Sequence, residues 1–146
     1  MPFLVKAASK KPSGVTFKVV EGEIKVLMND QEVGSLEFWK TSTPGLCQLN
    51  YVGVKPAFHR QGIAEQALKF FKKEMKKRGF NRIESQITWT GAYNMMKKVF
   101  KKPDGIYDAI REYEEKDLLK MLPNVSPANE EGKIEDAEYL DVYWRI

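Results

Sequence analysis

Thirteen residues in the middle of the chain carry its clearest chemistry: Val52-Gly53-Val54-Lys55-Pro56-Ala57-Phe58-His59-Arg60-Gln61-Gly62-Ile63-Ala64. They read as the end of a strand, a short loop, a turn of small residues and the first turn of a helix. The first amides of a helix have no partners inside it and point outward. With the positive end of the helix dipole they form an anion site, and a pyrophosphate suits such a site. Gly62 and Ala64 would let a phosphate come close to the backbone. A lone glycine at a helix start is a weak signal, and its place after a bulged strand strengthens it. Other reactive residue types have plainer readings. His59 is the only histidine; its place in the phosphate turn favours binding or a surface role over catalysis. Cys47 has no histidine near it in the pattern and reads as a small buried strand residue. Met95 and Met96 read as core filler. Trp39, Trp89 and Trp144 end or follow strands; they pack in the core or line an acceptor pocket.

The elements that must position this stretch follow from periodicity. Residues 15–20 and 23–28 alternate apolar and polar types and predict two strands joined at Glu21-Gly22. Asn29-Asp30-Gln31 supplies the next turn, and residues 32–39 predict a third strand of an antiparallel meander. Thr43-Pro44-Gly45 breaks the chain, and residues 46–54 predict a fourth strand. Gly53 inside it predicts a bulge or the close approach of another backbone. From residue 61 to about 78 the period changes, with Ile63, Ala64, Ala67, Leu68, Phe71 and Met75 on one helical face. Gly79 is a good stop for that helix. Residues 81–89 predict a fifth strand, parallel to the fourth because a helix separates them. A short helix is expected over 92–101. After the break at Pro103-Asp104-Gly105, the spacing of Ile106, Ile110, Tyr113, Leu118 and Leu122 is roughly helical. A loop over 123–133 and a final strand over 139–146 end the chain.

The chain has 146 residues, of which 42% are hydrophobic, 12% aromatic and 30% charged. That is the length of one domain, and enough to bury a core without disulfides or metals. A single domain over 1–146 is expected, with 1–14 loose. The composition is too apolar and aromatic for a disordered chain. No apolar run nears the roughly 18 residues that cross a bilayer, so no membrane partner is expected. One cysteine excludes a disulfide framework and a multi-cysteine zinc site, and no metal is expected. The opening residues lack a long apolar region with a cleavage site, which predicts a reducing, cytoplasmic setting.

Charge is unevenly spread. Residues 60–102 hold twelve Lys/Arg against three acids, and residues 103–146 hold five against twelve. A basic middle predicts an anionic partner; the alternative is helix faces that acids neutralise within the fold. Nucleic acid is the weakest such partner, since no aromatics interleave with the lysines to make a stacking platform.

The stretch Val54-x-Pro56-x-x-His59-Arg60-Gln61-Gly62-Ile63-Ala64 resembles the coenzyme A motif of the GNAT superfamily of N-acetyltransferases. The family pattern is Q/R-x-x-G-x-G/A between the fourth strand and the next helix. Gly62 and Ala64 match it, and His59 stands where the pattern has Gln or Arg. The resemblance runs from about 48 to 100. It implies an α/β (α+β) fold: a mixed, mostly antiparallel central sheet flanked by helices, with a splayed pair of fourth and fifth strands. It implies that Arg60, Gln61, Gly62, Ile63 and Ala64 hold the CoA pyrophosphate through backbone amides, with His59 in the same turn. It implies that the backbone of Val52 and Val54 pairs with pantetheine, that the amide near Val54 polarises the thioester carbonyl, and that Asn94 contacts the arm.

For catalysis the resemblance implies a general base at the place of Gln48, which cannot take a proton but could position a water. Glu37 and Glu84 are substitutes. Where relatives carry a tyrosine that protonates the thiolate, this chain has Phe100; Tyr93 or Tyr107 would replace it, or the thiolate leaves unaided. The implied function is transfer of an acetyl group from acetyl-CoA to an amine by direct attack. The acceptor is a small-molecule amine or a protein lysine or N-terminus, and a homodimer is compatible. The other class of function is a non-catalytic GNAT-like module that binds CoA or a macromolecule, which the Gln and Phe favour. Residues 101–136 depart from the family's usual hairpin and are expected to cap the acceptor side.

Overall fold

Alternating sequences at the start of the chain build a meander of three antiparallel strands. These are β1 (Val15–Val20), β2 (Glu23–Met28) and β3 (Gln31–Lys40). They belong to a computed structural model that describes residues 14–129, 134 and 136–146. Apart from Gly14, the segment expected to be loose lies outside the described residues. The turn at 29–30 uses two positive-φ residues, Asn29 and Asp30, types that tolerate left-handed backbone. β4 (Leu46–Val54) pairs antiparallel with β3, and β5 (Arg82–Ile87) pairs parallel with β4. β6 (Gly105–Tyr107) and β7 (Leu140–Arg145) complete one seven-stranded sheet in the order β1-β2-β3-β4-β5-β7-β6. Only the β4/β5 pair is parallel.

The parallel pair requires a crossover, and α1 (Ile63–Lys77) is that crossover. It buries Ile63, Ala67, Leu68, Phe71 and Met75 on one stripe and turns its lysines outward. α2 (Thr90–Phe100) lies beside it and buries Tyr93, Met96, Val99 and Phe100. The Phe71 ring meets Phe38 of β3 and Phe100 of α2, and Phe100 and Tyr93 both pack on Trp144 of β7. Both helices therefore cover the same sheet face, the one that also carries Cys47, Leu49, Ile83 and Val142 in the core. Strand alternation sends Glu37, Trp39, Gln48, Tyr51, Glu84, Asp141 and Tyr143 to the opposite face. That second face is partly open: Trp39 is 61% exposed.

Three expectations need correction. The bulge in β4 is at Asn50, not Gly53. Glu37 pairs with Tyr51 and Phe38 with Leu49, which leaves Asn50 as the extra residue. Gly53 stays in register opposite Ser35, and its missing side chain makes room for the Tyr51 ring. Next, the roughly helical segment after Gly105 is not one helix. Ile106 is drawn into an edge strand against Val142, and a turn at Asp108 then stops extension. Only α3 (Glu115–Met121) is helical, started by a capping box between Glu114 and Asp117. Lastly, α2 begins at Thr90, two residues early. Gly91 leaves space for the Trp89 ring against the first turn.

Candidate active site

β4 and β5 run side by side only from Leu46/Arg82 to Leu49/Ser85. The Ser85 hydroxyl donates to the Leu49 carbonyl at 3.1 Å, the last tie between them. Beyond it β4 continues through residues 50–54 with no β5 partner, while Gln86 and Ile87 pair only with β7. The two strands thus splay into a gap at their C-terminal ends, as the resemblance implies. Which backbone groups face that gap follows from one bond. The Lys55 amide donates to the Val33 carbonyl at 2.8 Å, so by alternation Lys55 and Gly53 face β3. The N–H and C=O of Val52 and Val54 then face the gap. The His59 ring nitrogen Nε2 lies 2.5 Å from the Val54 carbonyl and donates to it.

The route from β4 to α1 is a single 3-10 turn, Pro56–Phe58, and then two left-handed residues. Arg60 has φ +64° and Gly62 has φ +77°. Gly62 is the N-cap of α1, where glycine takes a conformation costly for a side chain. No side chain caps this helix. The first amide paired within it is Gln66, which donates to the Gly62 carbonyl at 3.1 Å. The amides of Ile63 and Ala64 precede it at the start of the helix, where no side chain caps them, which is the arrangement that the sequence reading of an anion site requires. Arg60 and Gln61 are exposed beside them.

α2 starts at the same end of the sheet, because it follows the strand parallel to β4. Both helix dipoles therefore point their positive ends at the mouth of the gap. The α2 start is not open, however. The Thr90 amide donates to the Pro123 carbonyl at 3.0 Å, and the Thr90 hydroxyl donates to Asn124 at 3.1 Å. Asn94 lies exposed one turn later.

The expected catalytic residues do not converge. Gln48 is half-buried on the open sheet face, in register with Trp39 and Glu84. Tyr93 is fully buried, and its hydroxyl donates to Glu115 at 2.5 Å. Burial first, then the Glu115 bond and charge, push its phenol well above the ordinary range, so it holds its proton tightly. Lys97 sits 2.7 Å from the same carboxylate and, with Tyr93, holds Glu115 below the usual carboxylate range. Tyr107 lies on β6, three strand spacings from β4, or about 14 Å. Its ring packs edge-on against Tyr143. Phe100 is core between Phe71 and Trp144. Cys47 is buried against Met75, and burial pushes its thiol up to about 12, which fits a packing role. Glu37 is exposed opposite Tyr51. Glu84 accepts a hydrogen bond from the Tyr143 hydroxyl at 2.6 Å, which follows burial in raising that phenol to about 12.

Sequence reasoning missed Ser85, Asp141 and Tyr143. Period-2 reading of the final strand carries the signal: Leu140, Val142 and Trp144 are core, so Asp141 and Tyr143 must face the other way. Within residues 101–136, expected to cap the acceptor side, three acids are engaged within the fold. Asp104 pairs with Arg82 and Arg145, Glu115 with Lys97, and Asp108 with Tyr113 and two backbone amides. Among the described residues no cluster of three His, Cys, Asp or Glu could hold a metal, and no helix is long and apolar enough to cross a membrane.

Comparison with known proteins extends this geometry. The chain is similar in structure to an acetyltransferase of Bacillus subtilis solved in complex with CoA, with TM-score 0.60, 16% identity, 85% of this chain and 76% of that one. It is also similar to a GNAT family acetyltransferase of Elizabethkingia anophelis with acetyl-CoA bound, with TM-score 0.60, 15% identity and 85% and 75% of the two chains. The ribosomal-protein-S18-alanine N-acetyltransferase of Escherichia coli matches over 100% of this chain and 79% of its own, with TM-score 0.57 and 13% identity. No curated protein matches the sequence. The acetyltransferase (GNAT) family model matches residues 13–100, which hold the meander, the splayed pair, the open turn and both covering helices, and the chain belongs to that family.

Proposed function

We propose that this protein transfers the acetyl group of acetyl-CoA to an amine by direct attack. The observation that carries the proposal is the coincidence of two features at one end of the sheet. The β4/β5 gap leaves the Val52 and Val54 backbone without a strand partner, and the uncapped amides of α1 open beside it. A pantetheine arm is an extended chain with two amides, so it suits a gap that lacks a strand. Its pyrophosphate suits the amides of Ile63 and Ala64, with Arg60, Gln61 and Gly62 shaping the turn. His59 anchors that turn to Val54, and Asn94 reaches toward the arm from α2. A gap-facing β4 amide near Val54 that the arm leaves unpaired is the candidate donor to the thioester carbonyl as it gains negative charge. Acetyl-CoA supplies the activated acyl group; the chain binds, orients and polarises.

The acceptor is a small-molecule amine or the lysine or N-terminal amine of a protein. An unpaired, buried Cys47 suits a reducing, cytoplasmic setting, and a single sheet joining all described strands supports one domain. The second reading is a binding module without turnover, favoured by Gln48 and Phe100 at places where an active site would carry a base and an acid. Calorimetry with acetyl-CoA and a CoA-release assay over polyamines, aminoglycosides and lysine peptides separate the readings. Binding with release supports the enzyme, binding without release supports the module, and no binding at millimolar ligand overturns both.

A further inference from the structure

The helices cover one face of the sheet, so an acceptor reaches the gap from the other. The residues on that face beside the gap are set by register. Gln86 is the first β5 residue past Ser85, where β4 has let go, and Gln86 pairs with Asp141 of β7. Asp141 therefore stands level with the inner end of the opening, one strand beyond β5, on the uncovered side. Its neighbours on that face are Gln86 and Glu84 from β5, Tyr107 from β6, and Tyr143 from its own strand, with Arg82 further along beyond Tyr143. These groups are mostly engaged with one another: Tyr143 donates to Glu84, Arg82 lies over the Tyr143 ring and pairs with Asp104, and Tyr107 packs on Tyr143. The Asp141 carboxyl group makes no hydrogen bond or ion pair with any described residue, while its backbone lies in register with Gln86 and Tyr107 in the sheet. Burial first, and the nearby Glu84 charge second, hold its carboxyl above the ordinary range.

We propose that Asp141 is the group that takes the proton from the acceptor amine, with Glu84, fixed by Tyr143, holding Asp141 in a charged surrounding that attracts a cationic amine. This rests on the acetyl-transfer reading and supplies the base that Gln48 does not. Glu84 acts through Asp141 and is a positioning residue. The ammonium first gives one proton to the Asp141 carboxylate through a water, and Asp141 passes it to solvent, which leaves the nitrogen a lone pair. The nitrogen then attacks the acetyl carbonyl, and its second proton passes to Asp141 as the tetrahedral adduct collapses. The N–C bond forms, the C–S bond breaks, and the electron pair leaves with the CoA thiolate. Asp141 then returns its proton to solvent. The substrate class is a primary amine that arrives as the ammonium ion and is charged at neutral pH.

A base must be ionised to act, so turnover falls as pH drops through the Asp141 pKa. The test compares the whole wild-type chain with Asp141→Asn and Glu84→Gln, using acetyl-CoA and an amine found to support CoA release. The expected results are as follows: Asp141→Asn binds acetyl-CoA within about twofold of wild type, loses on the order of 100-fold in kcat and lacks the acidic limb of its pH profile. Glu84→Gln keeps the limb but moves it to lower pH, because a negative neighbour has gone. An Asp141→Asn variant with wild-type kcat and limb overturns the proposal and leaves acetyl transfer intact. If Asp141→Asn does not fold, an unmoved limb in Glu84→Gln overturns it. A wild type that binds no acetyl-CoA or releases no CoA overturns the acetyl-transfer reading and this one with it.

Discussion

Two strand-to-helix turns lie side by side at the open end of the sheet, and they have been used differently. The β4-to-α1 turn ends in Gly62 at φ +77°, and no side chain caps the helix that follows. The β5-to-α2 turn has Thr90, whose amide and hydroxyl are both tied to Pro123 and Asn124. Both helices bring the same dipole to the same place. Only the β5-to-α2 turn has its Thr90 amide tied by a later loop. The lesson is that a helix start becomes an anion site when the chain leaves its amides unclaimed, and becomes a structural joint when a later loop claims them.

The largest effect that would break this comparison is expected at Gly62. Gly62→Val puts a β-branched residue at a left-handed position and a side chain where a phosphate would approach. Acetyl-CoA affinity measured by calorimetry should fall by about 100-fold, or about 2.7 kcal/mol. Wild-type affinity in this variant would mean the turn is not the donor site.

The matching change at the other turn should leave binding alone. Asn124→Ala removes the partner of the half-buried Thr90 hydroxyl and should cost about 1 kcal/mol of stability in urea unfolding. Its acetyl-CoA affinity should stay within about twofold of wild type; a tenfold loss would make α2's start part of the anion site.

Tyr93 sharpens the same division. Tyr93→Phe keeps the buried ring and removes the bond to Glu115. It should destabilise by about 1 kcal/mol with kcat unchanged, whereas a 100-fold loss of kcat would restore it as the thiolate's proton donor.

The smallest effect is a pH dependence. Lys97 and Tyr93 hold the folded Glu115 carboxyl below its unfolded value. Its contribution to stability is then complete above the unfolded carboxylate range near about 4.3 and fades as pH falls through the lower folded value. Thermal melts from pH 6 to pH 3 should show Glu115→Gln losing less stability on acidification than wild type. Parallel curves for the two would deny the Glu115 tie any role in joining α3 to α2.

Much of the donor side was legible in the sequence because its signals are local. Alternation set β1, β2 and β4 to the residue, and the change of period at Gln61 marked the helix that must carry the anion turn. Gly62 at a helix start is a backbone requirement that sequence displays directly. The bulge was misplaced because a glycine in a strand has two explanations; here the Tyr51 ring over Gly53 won, and Asn50 took the bulge. The segment after Gly105 was illegible because its structure is imposed from afar. Ile106 is a strand residue only because Val142 lies 36 positions later. Acids within 101–136 fit either a cap on the acceptor side or internal partners, and for Asp104 and Glu115 only the positions of Arg82, Lys97 and Arg145 decide for partners. Asp141 went unread because its meaning depends on where β4 and β5 part.

The central claim is that acetyl-CoA lies in the β4/β5 gap with its phosphates on the start of α1. Amide hydrogen exchange, resolved by residue with and without acetyl-CoA, tests it most directly. The account predicts new protection at Val52, Val54, Ile63 and Ala64, with the already bonded Thr90 amide unchanged. Protection confined to the start of α2, or to the lysine-bearing outer stripe of α1, would contradict it.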